Sequence, residues 1–147
     1  MTELPHATVA TIVEQDGRYL LVKEKRDNRI VFNQPAGHIE CGESILQAAV
    51  RETLEETRWL VEPTGFAGLS VYHAPNGISY VRTTIIARPL QEDPLARLDD
   101  DIIAPVWLTH GEILALKDQL RSPVVLKVIE DHRRGVAYPL DLISEQR

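Results

Sequence analysis

A capped helix with acidic residues on one side most restricts how this 147-residue chain can fold. Ser44 opens the sequence Ser-Ile-Leu-Gln, the signature of a capping box, so the helix is predicted to run from there to about Thr57. Successive helical residues are about 100° apart, and Glu52, Glu55 and Glu56 therefore fall within an arc of about 100°. The fold has to accommodate three carboxylates that lie close together.

The surroundings of these glutamates do not suit a solvated surface. Each pair of like charges three or four residues apart costs roughly 0.2–0.5 kcal/mol, and the last helical turns favour cations. Apolar or small residues occupy the same stripe and a second, nearly opposite face: Ile45, Ala48 and Ala49, then Leu46, Val50 and Leu54. A charged surface helix is the simpler alternative, but the pattern favours a helix covered on two sides.

A bound divalent cation would remove the repulsion between the glutamates. Mg²⁺ prefers oxygen ligands and usually keeps water and substrate phosphates in its coordination shell. Zinc is disfavoured because no histidine or cysteine accompanies the carboxylates at metal-ligand spacing. The helix therefore predicts metal-assisted attack of water on a phosphate.

The remaining chain alternates strands, turns and two further helices. Strands are predicted at Ala7–Val13, Tyr19–Val22, Ile30–Phe32, Phe66–Tyr72, Ser79–Ala87 and Ala104–Leu108, with a loop at Lys23–Asn28. Asp16-Gly17 and Pro75-Asn76-Gly77 predict hairpin turns. Helices are predicted at Gly111–Asp118 and from Ser122-Pro123 to before Gly135. Strands mixed with helices indicate an α/β sandwich around a mixed sheet.

Composition narrows the class of partner and compartment. The length fits one domain over residues 1–147, and the net charge of −6 disfavours binding to nucleic acid or to an anionic membrane. No apolar run is long enough to cross a bilayer, and the first residues lack the regions of a signal peptide. The single cysteine, Cys41, forms no internal disulfide. We expect a cytoplasmic protein, either monomer or homodimer.

Residues 37–59 resemble the Nudix box, G-x5-E-x7-R-E-U-x-E-E-x-G-U, where U is a bulky apolar residue. Six glycine or charged positions match in register: Gly37, Glu43, Arg51, Glu52, Glu55 and Glu56. Two positions depart from the pattern, because Arg58 stands where the family usually has glycine and Thr53 fills an apolar position. The missing glycine removes an easy left-handed end to the helix, so the path from Arg58 to Trp59 is expected to differ.

The chain outside the box resembles the NudJ branch of this family. The residues that carry this likeness are Asn33-Gln34-Pro35-Ala36-Gly37-His38, Ala74-Pro75, Leu120-Arg121-Ser122-Pro123 and Tyr138-Pro139-Leu140. The resemblance implies a Nudix-type α/β/α sandwich with a mixed β-sheet.

By the same resemblance, Glu52, Glu55 and Glu56 would bind Mg²⁺, or Mn²⁺ as the alternative ion, and the backbone carbonyl of Ala36 would add a ligand. Glu52 or a neighbouring carboxylate such as Glu55 would orient or deprotonate the water. Arg51 would hold Glu43 and the box loop rather than touch substrate.

Further site residues are expected outside the box. In the run Asp99-Asp100-Asp101, Asp101 best fits the spacing of a distal carboxylate, with a solvated loop as the alternative. Arg29 and Arg82 are candidates for phosphate contacts, because an anionic substrate in an acidic protein needs local positive charge. His38 is a candidate hydrogen-bonding residue, and Tyr72 could stack on a heterocycle, although core packing is the simpler role for such an aromatic.

The activity implied is Mg²⁺-dependent hydrolysis of small molecules that contain a diphosphate, with release of phosphate. For the branch, the substrates would be hydroxymethylpyrimidine pyrophosphate, thiamine pyrophosphate and nucleoside di- and triphosphates. One alternative is a housecleaning nucleoside triphosphate pyrophosphohydrolase that releases diphosphate. An alternative of a different class is a non-catalytic Nudix module that senses a nucleotide.

Overall fold

The computed structural model describes residues 3–146. Its strands are β1 (His6–Gln15), β2 (Arg18–Arg26), β3 (Arg29–Asn33), β4 (Ala36–His38), β5 (Trp59–His73), β6 (Ser79–Glu92) and β7 (Ile102–Thr109). Its helices are α1 (Ile45–Thr57), α2 (His110–Ala115) and α3 (Pro123–Arg133), with short 3₁₀ turns at Lys117–Gln119 and Leu140–Leu142. None of the helices within the described range is long and apolar enough to cross a membrane.

The seven strands form a mixed sheet in which β1 connects two parts. Strands β4, β1, β6 and β5 form one part, where β1 and β6 are parallel and the other pairs antiparallel. Strands β7, β2 and β3 form the other part, entirely antiparallel. The end of β1 joins the two parts through its hairpin with β2.

Helices cover both sides of the sheet. Alternate side chains of β1 point to opposite faces. Val9 packs with Ala48 and Ala49 of α1. Ile12 packs with the buried face of α3, including Val125 and Ile129. The predicted α/β/α sandwich with a mixed sheet is therefore confirmed.

Helix α1 begins as predicted and ends despite the missing glycine. The Ser44 hydroxyl accepts from the Gln47 amide, and the Gln47 side chain accepts from the Ser44 amide, which completes the capping box. Arg58 adopts the left-handed conformation at φ 66°. Its Nε donates to the Ala96 carbonyl at 2.8 Å, so a side-chain contact accompanies a conformation usually given to glycine.

Thr53, the second departure from the box pattern, is fully buried. Its hydroxyl donates to the Ala49 carbonyl at 2.7 Å and lies 2.8 Å from the Thr11 hydroxyl of β1. The polar atom in an apolar position is thus satisfied by a matching threonine on the facing strand.

Several predicted boundaries were wrong. The expected loop over residues 23–28 is largely strand, because β2 runs to Arg26 and only Asp27 and Asn28 turn, both with positive φ. β5 starts at Trp59 rather than Phe66, and β4 was missed because three residues carry too little pattern. The second helix ends at Ala115, and its predicted last turn is a separate 3₁₀ turn.

Candidate active site

Two helical glutamates and one loop aspartate converge at the C-terminal half of α1. One carboxylate oxygen each from Glu52, Glu56 and Asp99 lies within 4.8 Å of the others. Glu52 and Glu56 are one turn apart on the buried face of α1. The Asp99 amide donates to the Glu55 carbonyl at 3.1 Å, which attaches the loop to the last turn of the helix. The acidic cluster is therefore built by the helix and by a loop that closes on it.

Burial makes the ionised form of both helical glutamates unfavourable. Desolvation raises the pKa of Glu56 to about 8, with the charge of Glu52 adding to the rise, while the Ala36 amide donates to Glu56 at 2.8 Å and opposes it. Desolvation also raises the pKa of Glu52, against the lowering effect of its hydrogen bond from Arg51. The cluster holds negative charge only at a free-energy cost.

Gly37 leaves the space that Glu52 occupies. A Cβ built on Gly37 would lie 2.2 Å from the carboxyl carbon of Glu52, far closer than such atoms approach. Glycine is therefore required at position 37 for a steric reason, because β4 passes directly over a carboxylate of the cluster.

Arg51 connects the box loop to the helix. Its Nε donates to Glu43 Oε2 at 2.6 Å and its Nη2 to Glu43 Oε1 at 2.9 Å, a bidentate pair. The same Nη2 donates to the His38 carbonyl at 3.1 Å, and Nη1 donates to Glu52 at 2.8 Å. The pair lowers the pKa of Glu43 to about 2 and raises the pKa of Arg51. The expected contact between Arg51 and Glu43 is present.

The acidic cluster suits a hard divalent cation. Its donors are all carboxylate oxygens, two of them on buried side chains, and a cation would relieve both the repulsion and the desolvation cost. Glu52, Glu56 and Asp99 are the residues that would hold it. The Ala36 amide donates a hydrogen bond to Glu56, which brings the Ala36–Gly37 segment beside the cluster. A ligand role for the Ala36 carbonyl stays a prediction.

The distal carboxylate in the cluster is Asp99 rather than Asp101. The Asp101 carbonyl accepts from the Lys25 amide of β2, and the Ile102 amide donates to the Asp99 carbonyl, so the tight turn presents Asp99 to α1. Glu55 lies outside the cluster, with its side chain 42% exposed and paired with Arg51 at 3.2 Å. The acidic run was found from the sequence, but which aspartate faces the helix depends on this turn.

The two predicted phosphate-binding arginines lie in different surroundings. Arg82 on β6 is buried, donates to Gln34 at 2.9 Å and to Asn33 at 3.4 Å, and its Nε has no hydrogen-bond partner among the described residues. Burial lowers the pKa of Arg82 to about 10, opposed by the charge of Glu56. Arg29 is exposed at the start of β3. Arg82 thus borders the acidic cluster from within the protein, and Arg29 borders solvent.

The other two predicted substrate residues, His38 and Tyr72, contact other side chains of the protein. The His38 ring is 2.9 Å from His6 Nδ1, and desolvation followed by the charge of His6 lowers the pKa of His38. Tyr72 is half-buried against the apolar cluster beneath α3. The structure does not bring Tyr72 to the acidic cluster.

Four polar residues at or near the cluster were missed from the sequence: Glu24, Gln34, Asp99 and Arg121. Gln34, Asp99 and Arg121 each lie within a segment that the sequence analysis names, but none of the three was given a role at the site. Glu24 is a charged residue at an inward position of a strand whose neighbours Leu20 and Val22 are buried, and the period of two was the available signal.

An α/β/α sandwich with an oxygen-only cluster formed by helix α1 and a loop defines a class of α/β proteins that can bind a divalent cation. The NUDIX domain family model matches residues 4–128. Phosphatase NudJ of Escherichia coli strain K12 and that of Shigella flexneri are each 36% identical over 141 residues, covering 96% of this chain and 92% of the relative.

Solved structures show the same likeness. A NUDIX hydrolase from Nitrosomonas europaea has a TM-score of 0.95 and 41% identity, covering 97% of this chain and 98% of that one. A second NUDIX hydrolase from that organism has a TM-score of 0.73 and 26% identity, covering 95% and 77%. The chain belongs to the Nudix hydrolase family and is a phosphohydrolase similar to Phosphatase NudJ.

Proposed function

We propose that this protein is a Mg²⁺-dependent hydrolase that releases phosphate from small molecules containing a diphosphate. The proposed substrates are nucleoside di- and triphosphates, hydroxymethylpyrimidine pyrophosphate and thiamine pyrophosphate, with Mn²⁺ as an alternative ion. The observation that carries the proposal is the oxygen-only cluster of Glu52, Glu56 and Asp99 in a chain similar to a phosphatase. In this proposal, Glu55 and Asp101 neither hold the ion nor activate the water.

Each residue of the site has a role in this proposal. Glu52, Glu56 and Asp99 would hold the ion, with Glu56 fixed by the Ala36 amide, and Glu52 would also orient the attacking water and accept its proton. The raised pKa of Glu52 suits proton acceptance, and the contact from Arg51 fixes its carboxylate. When bound, the ion polarises the phosphate oxygens. Arg51 positions Glu52 and the box loop through Glu43 without touching substrate.

A buried arginine near the acidic cluster offsets part of the negative charge there. Arg82 lies near enough to the cluster for its charge and that of Glu56 to interact. We propose that Arg82 fixes the Asn33–Gln34 segment and offsets negative charge at the cluster rather than binding phosphate directly. The net charge of −6 is consistent with a small-molecule substrate that reaches a local cationic region.

Product analysis tests the proposal. The protein is incubated with ADP, ATP and thiamine pyrophosphate in the presence of Mg²⁺, and orthophosphate is separated from diphosphate. Orthophosphate from all three, abolished by excess EDTA and restored by Mg²⁺, is the expected result. Diphosphate from ATP would indicate the pyrophosphohydrolase instead, and tight binding without turnover would indicate a nucleotide-sensing module. Full turnover in EDTA would overturn the role given to the acidic cluster.

A further inference from the structure

A buried carboxylate outside the acidic cluster forms ion pairs only with arginines among the described residues. The Glu24 side chain on β2 is 2% exposed, with Oε1 3.4 Å from Arg121 Nη1 and Oε2 3.6 Å from Arg26 Nη2. These are long contacts for an ion pair, so most of the donors of both guanidiniums remain available. Nothing in the proposed mechanism uses this carboxylate or either arginine.

Strand register places a third arginine on the same face. Glu24 and Arg26 are two residues apart on β2, and Arg29 is directly opposite Arg26 in the β2–β3 ladder. Leu120 bridges Phe32 of β3, which sets the next residue, Arg121, on the face that carries Glu24. The guanidinium groups of Arg26 and Arg121 therefore contact one buried carboxylate, with Arg29 opposite Arg26 on the same face, and arginines outnumber the carboxylate there.

This arginine group borders the acidic cluster. Glu24 is near enough to Glu56 for its charge to raise the pKa of Glu56, and Arg121 is near enough to Arg82 to lower the pKa of Arg82. The ladder between β2 and β7 also brings Glu24 beside Ile102, next to the turn that presents Asp99. If one phosphate of a substrate binds at the arginines, the adjoining phosphate of the same molecule can thus reach the acidic cluster.

We propose that Arg26 and Arg121, anchored by Glu24, form a subsite for the free terminal phosphate of the substrate. This inference rests on the proposed function and narrows it. A terminal phosphate carries a charge of about −1.5 to −2 at pH 7, whereas the phosphates of a diphosphate substituted at both ends carry about −1 each. The excess of guanidinium groups over carboxylate matches the terminal phosphate. The substrate class is therefore the uncapped diphosphate, and a diphosphate capped by a second sugar is disfavoured.

The test compares ADP with ADP-ribose, which share every group up to the second phosphate. The variant Arg121→Gln removes one guanidinium, and Arg97→Gln is the matched control, since Arg97 is exposed and pairs with Asp100. Arg121→Gln is expected to raise KM for ADP about 10- to 100-fold and to leave the lower kcat/KM for ADP-ribose within about twofold. Arg121→Lys should recover part of the loss. An equal loss on both compounds, or none on ADP, would overturn the proposal.

Binding of inorganic phosphate in the presence of Mg²⁺ gives a readout that does not depend on turnover. Calorimetry should show binding to the wild type and to Arg97→Gln that weakens about tenfold or more in Arg121→Gln and in Arg26→Gln. If the wild type hydrolyses neither nucleotide, the proposed function is wrong, and this measurement still decides the subsite. Equal phosphate affinity in all four proteins would overturn it. Arg26→Gln serves alone if Arg121→Gln does not fold, because Arg26 lies at an exposed strand end.

Discussion

The Glu56 carboxylate that would hold the metal ion should destabilise the metal-free fold at neutral and alkaline pH. Its pKa is 4.5 ordinarily and about 8 in the folded protein, mainly because the side chain is buried. Between these values the folded state retains a proton that the unfolded state has lost. The stability of the metal-free protein therefore falls as pH rises from 4.5 towards 8 because of this group. Replacing the carboxylate with a neutral amide removes that dependence.

The substitution Glu56→Gln keeps the shape of the side chain and an oxygen that accepts from the Ala36 amide. One pKa unit corresponds to about 1.4 kcal/mol, so ionised Glu56 costs the metal-free fold at most about 5 kcal/mol above pH 8. We expect Glu56→Gln to be more stable than the wild type by a few kcal/mol at pH 8.5 and nearly equal to it at pH 4.5.

Urea unfolding in excess EDTA at these two pH values measures the difference. Glu92→Gln, at an exposed position on β6, is the control and should show no gain that depends on pH. Added Mg²⁺ should stabilise the wild type and have a much smaller effect on Glu56→Gln, since a ligand stabilises only the state that binds it. A gain of equal size at both pH values, or a loss of stability at high pH, would refute the reasoning.

Substitutions at three other positions test the geometry of the site and the box. Glu52→Gln should lower kcat at least about a hundredfold without unfolding the protein, and phosphate release near the wild-type rate would place the water-activating group elsewhere. Gly37→Ala should lower kcat about a hundredfold with a small change in melting temperature, because the alanine Cβ would displace the Glu52 carboxylate. An unchanged kcat would contradict this. In urea unfolding, Arg58→Gly should be more stable than Arg58→Ala by about 1 kcal/mol. Both variants lose the contact with Ala96, but only glycine adopts the left-handed conformation without strain. Equal stabilities of the two variants would argue against strain at this position.

Local signals carried the parts of the fold that could be predicted. The capping box at Ser44 and the serine–proline start of α3 involve residues a few positions apart, and both helices begin there. The spacing of the box glutamates on one helix is likewise local, and Glu52 and Glu56 face inward as expected. In each case the physical cause lies within one turn of helix, so no knowledge of the remaining chain was needed.

Contacts between distant segments decided the parts that could not be predicted. Asp99 and Asp101 belong to the same run of three aspartates, and no local pattern distinguishes them. Only the hydrogen bonds of their loop to α1 and to β2 determine which one faces Glu56. The assignment of Glu24 to a loop had a similar origin, because charged residues around it concealed a strand. One of the two arginines that contact it, Arg121, is 97 residues away along the chain. A local pattern can indicate that such a residue faces inward, but it cannot identify the distant residue that contacts it.

The two departures from the box pattern have partners outside the box, and this explains why the site remains intact. Thr53 places a hydroxyl in an apolar position, and Thr11 of β1 pairs with it, so the helix keeps its packing beneath the glutamates. Arg58 takes the left-handed conformation and contacts Ala96, while its carbonyl accepts from the Asp93 amide. The second set of contacts holds the start of the loop that ends at Asp99. The residue that replaces the usual glycine therefore helps to position the loop that completes the acidic cluster.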